Sequence, residues 1–384
     1  MSIANKLARE ELVDMVPYQS ARRLFSMADS SSDSESASPE ATSKIWLNAN
    51  EASGPGIYQL NSDCINRYPD FQPDNLIRAY SQYSGLANEN ILATRGADEG
   101  IELIIRTFCK AYQDSILICP PTYGMYAISA ENHGANIIKV PLNPTNQQLN
   151  LDGLKAQVGK VKVVFLCSPG NPTGNLLTTE SIKAALEMFG DSAIVVVDEA
   201  YIEFCPEQST ASWLKDYPQL VVLRTLSKAF ALAGLRCGFT LANSDIIEML
   251  GKVIAPYPIS APVAEIASNT LNKAGLEQVS IRVQESNILR QQLTTWLHTQ
   301  QWCSKVFASD ANFVLFRTQD QATKDFIFNC LEQQGILIRD QSKQIQLEHC
   351  LRISIGSERE ISILKQTIIN AYQNVDEPLL EKEK

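Results

Sequence analysis

Short apolar runs alternate with helical periodicity through the middle of this chain. Ile116–Cys119, Val161–Cys167, Ala193–Val197 and Leu220–Arg224 are rich in β-branched residues and read as buried strands. Between such runs, Ile101, Ile104, Ile105 and Phe108 fall on one helical face, and Ile182, Leu186 and Phe189 on another. Strands alternating with helices predict a mostly parallel sheet covered on both faces, an α/β fold. After Pro258 the texture changes. Val263 to His298 reads as mostly helical, with Gly275 its one strong breaker, and connects to a second part. That part has its own strands, Asn312–Arg317 and Cys350–Ile355, and a closing helix from about Glu358 to Tyr372.

Composition adds boundaries. A chain of 384 residues exceeds the size at which one core usually divides. The segment Ser26 to Ser43 is serine-rich and acidic, with Met27 its single bulky apolar side chain, and cannot offset its ordering entropy by burial. The expected organisation is an N-terminal arm over residues 1–25, a disordered insertion over 26–43, a large domain over 44–262 and a small C-terminal domain over 263–384. The net charge of −10 and the lack of a basic run argue against nucleic acid and anionic membrane as partners. No stretch is apolar for long enough to span a bilayer. Nine cysteines without a C-x-x-C spacing, and Met1 to Glu10 without an apolar leader core, point to a reducing cytoplasm. Three scattered histidines give no local metal motif, so no metal is expected.

Four motifs follow predicted strands or open a helix, where open α/β sheets bind ligands. Arg95-Gly96-Ala97-Asp98-Glu99-Gly100 opens the helix at Ile101, and a helix N-terminus offers free N–H groups to a phosphate. An ordinary helix start is the competing reading. Ser168-Pro169-Gly170-Asn171-Pro172-Thr173-Gly174 is a rigid turn that can hold the Asn171 amide toward a ligand. Asp198-Glu199-Ala200-Tyr201 ends a buried strand, where a carboxylate needs a donor or cationic partner; a nearby Arg or Lys would serve as well as a ligand. Thr225-Leu226-Ser227-Lys228 precedes Ala229-Phe230-Ala231-Leu232-Ala233-Gly234-Leu235-Arg236. A lysine among such apolar neighbours either reaches solvent or is kept neutral, as a free amine or as its imine with an aldehyde.

Together these motifs describe one ligand. Its phosphate is held by Ala97 and Asp98 at the helix start with Thr225, Ser227 and Arg236. Its ring nitrogen pairs with Asp198, its ring oxygen meets Asn171 and Tyr201, and its aldehyde binds Lys228. Pyridoxal 5′-phosphate has these groups.

The chain resembles the class II branch of fold-type I aminotransferases, and within it the histidinol-phosphate aminotransferases. The likeness is carried by Pro17-Tyr18-Gln19-Ser20-Ala21-Arg22-Arg23, Trp46-Leu47-Asn48-Ala49-Asn50-Glu51, Asn66-Arg67-Tyr68-Pro69, the block from Leu223 to Ala242, and Cys350-Leu351-Arg352-Ile353. It covers nearly all of the chain except the serine-rich segment and roughly the last dozen residues. The resemblance implies a seven-stranded, mostly parallel sheet flanked by helices, plus a smaller α+β domain. It implies a homodimer with shared active sites, in which Tyr68 reaches the cofactor phosphate of the other subunit. It further implies that Tyr123 stacks on the cofactor ring and that Tyr18, Asn171, Arg339 and Arg352 bind substrate. The implied reaction converts L-histidinol phosphate and 2-oxoglutarate to 3-(imidazol-4-yl)-2-oxopropyl phosphate and L-glutamate, with Lys228, Asp198 and Tyr201 as catalytic residues. An aminotransferase for aromatic or other amino acids, and a decarboxylase of a phosphorylated amino acid, use the same core residues. A cofactor-binding regulator without turnover is a third alternative, against which the full set of proton-transfer residues argues. The serine-rich insertion and Gly170, where many relatives have Asn, depart from the family pattern.

Overall fold

The computed structural model describes residues 44–54 and 66–376. Tyr18 and the Ser26–Ser43 segment lie outside the described residues.

In chain order the elements are β1 (Ile45–Trp46), α1 (Asp74–Ser84), β2 (Ile91–Thr94), α2 (Gly96–Phe108), β3 (Ser115–Ile118), α3 (Met125–His133) and β4 (Asn136–Lys139). Next come α4 (Leu151–Lys155), β5 (Val163–Cys167), α5 (Thr179–Phe189), β6 (Ile194–Asp198), β7 (Leu220–Thr225), β8 (Gly238–Ala242) and α6 (Ser244–Gly251). The rest are α7 (Ala261–Thr270), α8 (Lys273–His298), β9 (Cys303–Val306), β10 (Phe313–Thr318), α9 (Gln321–Gln333), β11 (Ile336–Leu337), β12 (Arg339–Asp340), β13 (Cys350–Ser354) and α10 (Glu358–Asp376).

A seven-stranded sheet runs in the order β2-β8-β7-β6-β5-β3-β4. Strands β7, β6, β5, β3 and β4 are mutually parallel, and β8 runs antiparallel to both of its neighbours. The central strands read as unbroken apolar runs because both of their faces are covered. One face packs Val195, Val197, Val222 and Leu241 into a core with α1, α5 and α7. The other packs Val196, Phe165, Val221 and Leu223 against Ile101, Ile104 and Ile105 of α2 and Tyr126 and Ala130 of α3. β4 is an edge strand with a polar residue at each end, Asn136 and Lys139, so its apolar pattern is too short to read as a strand.

The predicted single helical connection is two helices. α7 ends at Thr270, and the Asn272 side chain caps α8 by accepting from the Gly275 backbone N–H. Gly275 therefore does not break the helix: it sits in the first turn of α8, where an added Cβ would collide with the Thr270 carbonyl oxygen. The break belongs to Leu271 and Asn272.

A four-stranded antiparallel sheet, β12-β13-β10-β9, is packed by α8, α9 and α10 around Phe316, Val314, Leu351, Ile353, Leu364 and Ile368. β1 pairs in parallel with β11, and Leu47 enters the same core. The residues just after β1 thus travel from this smaller core toward the C-terminal ends of β5, β6 and β7, where a cleft opens.

Candidate active site

The cleft is a cavity of about 310 Å³. Its floor comes from the strand ends of the large sheet: Cys167 ends β5, Asp198 ends β6 and Thr225 ends β7. Its roof comes from Asn48, Ala49 and Asn50 and from Arg339, Gln341, Gln344 and Arg352 of the smaller sheet and its loop.

One end of the cavity is built for an anion. Ala97 lies in the first turn of α2, whose N-cap residue Arg95 makes no side-chain capping bond, which leaves the helix N–H groups to face a ligand. Thr225 Oγ1 donates to Ser227 Oγ at 2.9 Å, and Arg236 Nη1 reaches the same Ser227 hydroxyl at 3.4 Å. Arg236 Nη2 pairs with Asp98 Oδ2 at 3.0 Å. Close approach is enforced by glycine. A Cβ on Gly238 would meet the backbone of Gly96 at 2.6 Å and of Ala97 at 2.8 Å, and one on Gly96 would meet Arg236 Nη2 at 2.7 Å.

At the centre, Asp198 is 3% exposed and accepts from the Tyr126 hydroxyl at 2.6 Å and from the Ala200 N–H at 3.1 Å. Among the described residues no Lys, Arg or His pairs with it. Burial pushes its carboxyl up to about 6 despite those two bonds. Tyr201 Oη accepts from Asn50 Nδ2 at 3.0 Å and Asn171 Nδ2 at 3.3 Å, and burial raises its pKa, so its own proton stays available to donate. Lys228 Nζ donates to the Ala49 carbonyl at 3.1 Å. Burial, and then the positive charge of Arg352, lower its amine to about 8. Arg352 in turn donates to Asn171 Oδ1 at 2.6 Å and to the Asn48 carbonyl at 3.1 Å.

Residues 31–368 match the family described as aminotransferase class I and II. A relative named histidinol-phosphate aminotransferase, from Colwellia psychrerythraea, is 64% identical over 372 residues, covering 95% of this chain and 99% of its own. One of the same name from Yersinia enterocolitica is 51% identical over 355 residues, covering 92% of this chain and 90% of its own. The chain belongs to the histidinol-phosphate aminotransferase family. Its fold is also that of a solved histidinol-phosphate aminotransferase from Sinorhizobium meliloti in complex with pyridoxal-5′-phosphate, with a TM-score of 0.78 at 22% identity, over 95% of this chain and 97% of that one.

This aminotransferase is thus a pyridoxal-phosphate-dependent enzyme, and its cavity fits the cofactor. A buried carboxylate with no cationic partner among the described residues suits a protonated ring nitrogen. A helix N-terminus with two hydroxyls and Arg236 suits a phosphate. A lowered lysine amine suits an aldehyde.

Of the residues singled out in the sequence, Ala97, Asp98, Tyr123, Asn171, Asp198, Tyr201, Thr225, Ser227, Lys228, Arg236, Arg339 and Arg352 all line this one cavity. Tyr123 also donates to Asp98 Oδ1 at 2.9 Å. Tyr68 does not line it: it is 81% exposed and stacks on Tyr257 with ring centroids 4.5 Å apart. Asp340 follows Arg339 on β12. Asp340 is held by Lys324 at 2.6 Å. Sequence reading missed Tyr126, in the first turn of α3 three residues after Tyr123, and gave no role to Asn50. No helix among the described residues is long and apolar enough to cross a membrane, and none of their His, Cys, Asp and Glu side chains cluster as a metal site.

Proposed function

We propose that this enzyme transfers the amino group of L-histidinol phosphate to 2-oxoglutarate, a step of histidine biosynthesis. It yields 3-(imidazol-4-yl)-2-oxopropyl phosphate and L-glutamate. The reading is carried by one observation. Arg339 and Arg352 are register partners on the antiparallel strands β12 and β13, and both line the cavity that holds Lys228. Two guanidiniums side by side at the cavity offer several N–H donors to one anion. A substrate phosphate supplies that anion in one half-reaction, and a 2-oxoglutarate carboxylate in the other. Tyr18 is assigned to the same subsite by resemblance alone.

Pyridoxal phosphate, when bound, supplies an aldehyde to capture the amino group and a ring that takes up electrons released at the substrate carbon. Lys228 moves the proton: lowered to about 8, its amine is neutral often enough near neutral pH to accept a proton from the substrate Cα and return it. Asp198 holds a positive charge at the ring nitrogen, and Ala97, Thr225, Ser227 and Arg236 hold the phosphate. Tyr201 donates to the ring oxygen, oriented by Asn50 and Asn171. Arg352 draws Asn171 toward the substrate side of the cavity and closes it against the Asn48 carbonyl.

The two groups of elements are read as two domains, residues 44–262 and 263–384, with β1 contributing to the smaller one through its pairing with β11. The enzyme is read as a cytoplasmic homodimer in which Tyr68, exposed in the single chain, serves the site of the partner.

The test is glutamate production from 2-oxoglutarate with histidinol phosphate, histidinol or phenylalanine as donor. Histidinol phosphate is expected to exceed histidinol by at least ~100-fold in kcat/KM, worth about 2.7 kcal/mol. Arg352→Ala is expected to erase most of that preference. Equal rates with histidinol or phenylalanine would remove the specific substrate and leave the aminotransferase; carbon dioxide in place of glutamate would make it a decarboxylase.

A further inference from the structure

Beneath the cavity, on the opposite side of the strand ends, lies a buried cluster of charge that the reaction does not use. Side chains alternate along a strand, so Arg224 leaves β7 on the side away from Thr225. There Arg224 Nε donates to Glu199 Oε2 at 2.7 Å, and Nη2 donates to Ser209 Oγ at 2.7 Å. The Ser209 hydroxyl donates on to Glu199 Oε2 at 3.0 Å. Thr210 gives the other oxygen, Glu199 Oε1, two further donors, its backbone N–H and its hydroxyl. Arg224 Nη1 reaches Glu203 Oε1 at 3.3 Å. The side chains of Arg224, Glu199 and Glu203 are 10%, 1% and 5% exposed.

These residues adjoin the reacting groups. Glu199 follows Asp198 directly, and its backbone N–H donates to the Leu223 carbonyl of β7. Glu203 lies two residues after Tyr201. Arg224 precedes Thr225 and stands four residues before Lys228. One planar guanidinium therefore gathers the three segments that carry the ring-nitrogen carboxylate, the ring-oxygen donor and the cofactor lysine. With two carboxylates on one cation, burial pushes the Glu203 carboxyl up to about 7, so the lasting ion pair is Arg224 with Glu199. Each Arg224 nitrogen makes a hydrogen bond and both Glu199 oxygens accept at least two, while Glu203 Oε2 is left without a partner among the described residues, so the geometry is fixed chiefly by the Arg224–Glu199 pair.

We infer that Arg224 and Glu199 are positioning residues that set the spacing between Asp198, Tyr201 and Lys228. The inference rests on the assignment of those three residues to the cofactor. A purely structural pair would support folding and leave the site's electronics alone; a positioning pair also controls how Asp198 meets the ring and how Lys228 meets the substrate carbon. An offset of about an ångström at the reacting atoms is enough to lower a rate by roughly 100-fold.

The test compares holoenzyme with Arg224→Gln, Arg224→Lys and Ser209→Ala. The measurements are the pH midpoint of the visible absorption band, cofactor Kd, kcat, KM for histidinol phosphate and melting temperature. Arg224→Gln is expected to move the midpoint by at least about 0.5 pH unit, weaken cofactor binding, and lower kcat by roughly 20-fold or more with KM changed less than about threefold. Arg224→Lys, which keeps the charge and loses the fork, is expected to recover part of each change. Ser209→Ala is expected to move the midpoint in the same direction by less. Variants that melt earlier but keep the wild-type midpoint, cofactor Kd and kcat would overturn the inference. If Arg224→Gln does not fold, an unchanged midpoint and kcat in both milder variants has the same force. Failure of the wild type to use histidinol phosphate sinks the substrate reading instead, and leaves the midpoint and cofactor Kd to judge the pair.

Discussion

At the scale of single residues, Asp198 sets function against stability. Its carboxyl rises from 3.8 to about 6 in the cofactor-free chain because burial outweighs two hydrogen bonds. The folded state therefore binds more protons than the unfolded state between those values. Stability contributed at low pH is lost as pH rises through about 6, and above it the buried charge costs roughly 3 kcal/mol. Asp198→Asn removes that penalty. The variant is expected to melt at a higher temperature than wild type at pH 7.5 without cofactor, while transamination drops by more than about 100-fold. Calorimetry of the two cofactor-free proteins decides the first half; an equal or lower melting temperature would show that the carboxylate has a partner in solution. Lys228 behaves in the opposite sense. Its amine titrates near 8, so the rate at which the cofactor-free protein captures pyridoxal phosphate is expected to climb through pH 8 and level off above it. Arg352→Ala should move that midpoint upward, since Arg352 is the second cause of the lowering. A midpoint near 10 in the wild type would mean that the amine is solvated.

At the scale of elements, the anion end depends on how closely β8 passes the start of α2. An added Cβ on Gly238 would meet only backbone, at 2.6–2.8 Å from Gly96, Arg224 and Ala97, so no side-chain rotation relieves it. Gly238→Ala is expected to destabilise the protein by about 1–3 kcal/mol and to raise the cofactor Kd; unchanged binding in a titration would show that the phosphate does not sit there. The reach of sequence reading follows from the same geometry. Asp198 and Lys228 are legible because a charged residue at the end of an apolar run is costly, and that cost asks for a ligand. The central strands are legible because both of their faces are buried. Tyr126 and Asn50 are not, because their roles arise from contacts with Asp198, 72 residues on, and Tyr201, 151 residues on. The sequence suggests a break at Gly275, a residue type that commonly breaks helices, whereas the break lies at Leu271 and Asn272, where only the Asn272 cap shows that a second helix starts.

At the scale of the whole molecule, Tyr68 is the outlying member of the predicted set. A tyrosine 81% exposed and stacked on a half-exposed Tyr257 is a surface residue in one chain, which is what a residue acting in a neighbour's site requires. Mixing inactive Lys228→Ala with Tyr68→Ala under subunit exchange is expected to restore activity, because some hybrid sites hold both wild-type residues. Absence of recovery despite exchange, followed by mass measurement of the hybrids, would confine each site to one chain. The cavity's roof has a different consequence. Arg352 reaches the Asn48 carbonyl, and Ser354 reaches Asn50, each across 304 residues of sequence. Such long loops close late in folding. During synthesis, Lys228 leaves the ribosome well before Arg339 and Arg352 are even polymerised. The nascent enzyme thus carries a reactive amine that stays uncovered until Arg339 and Arg352 have been made and folded over it.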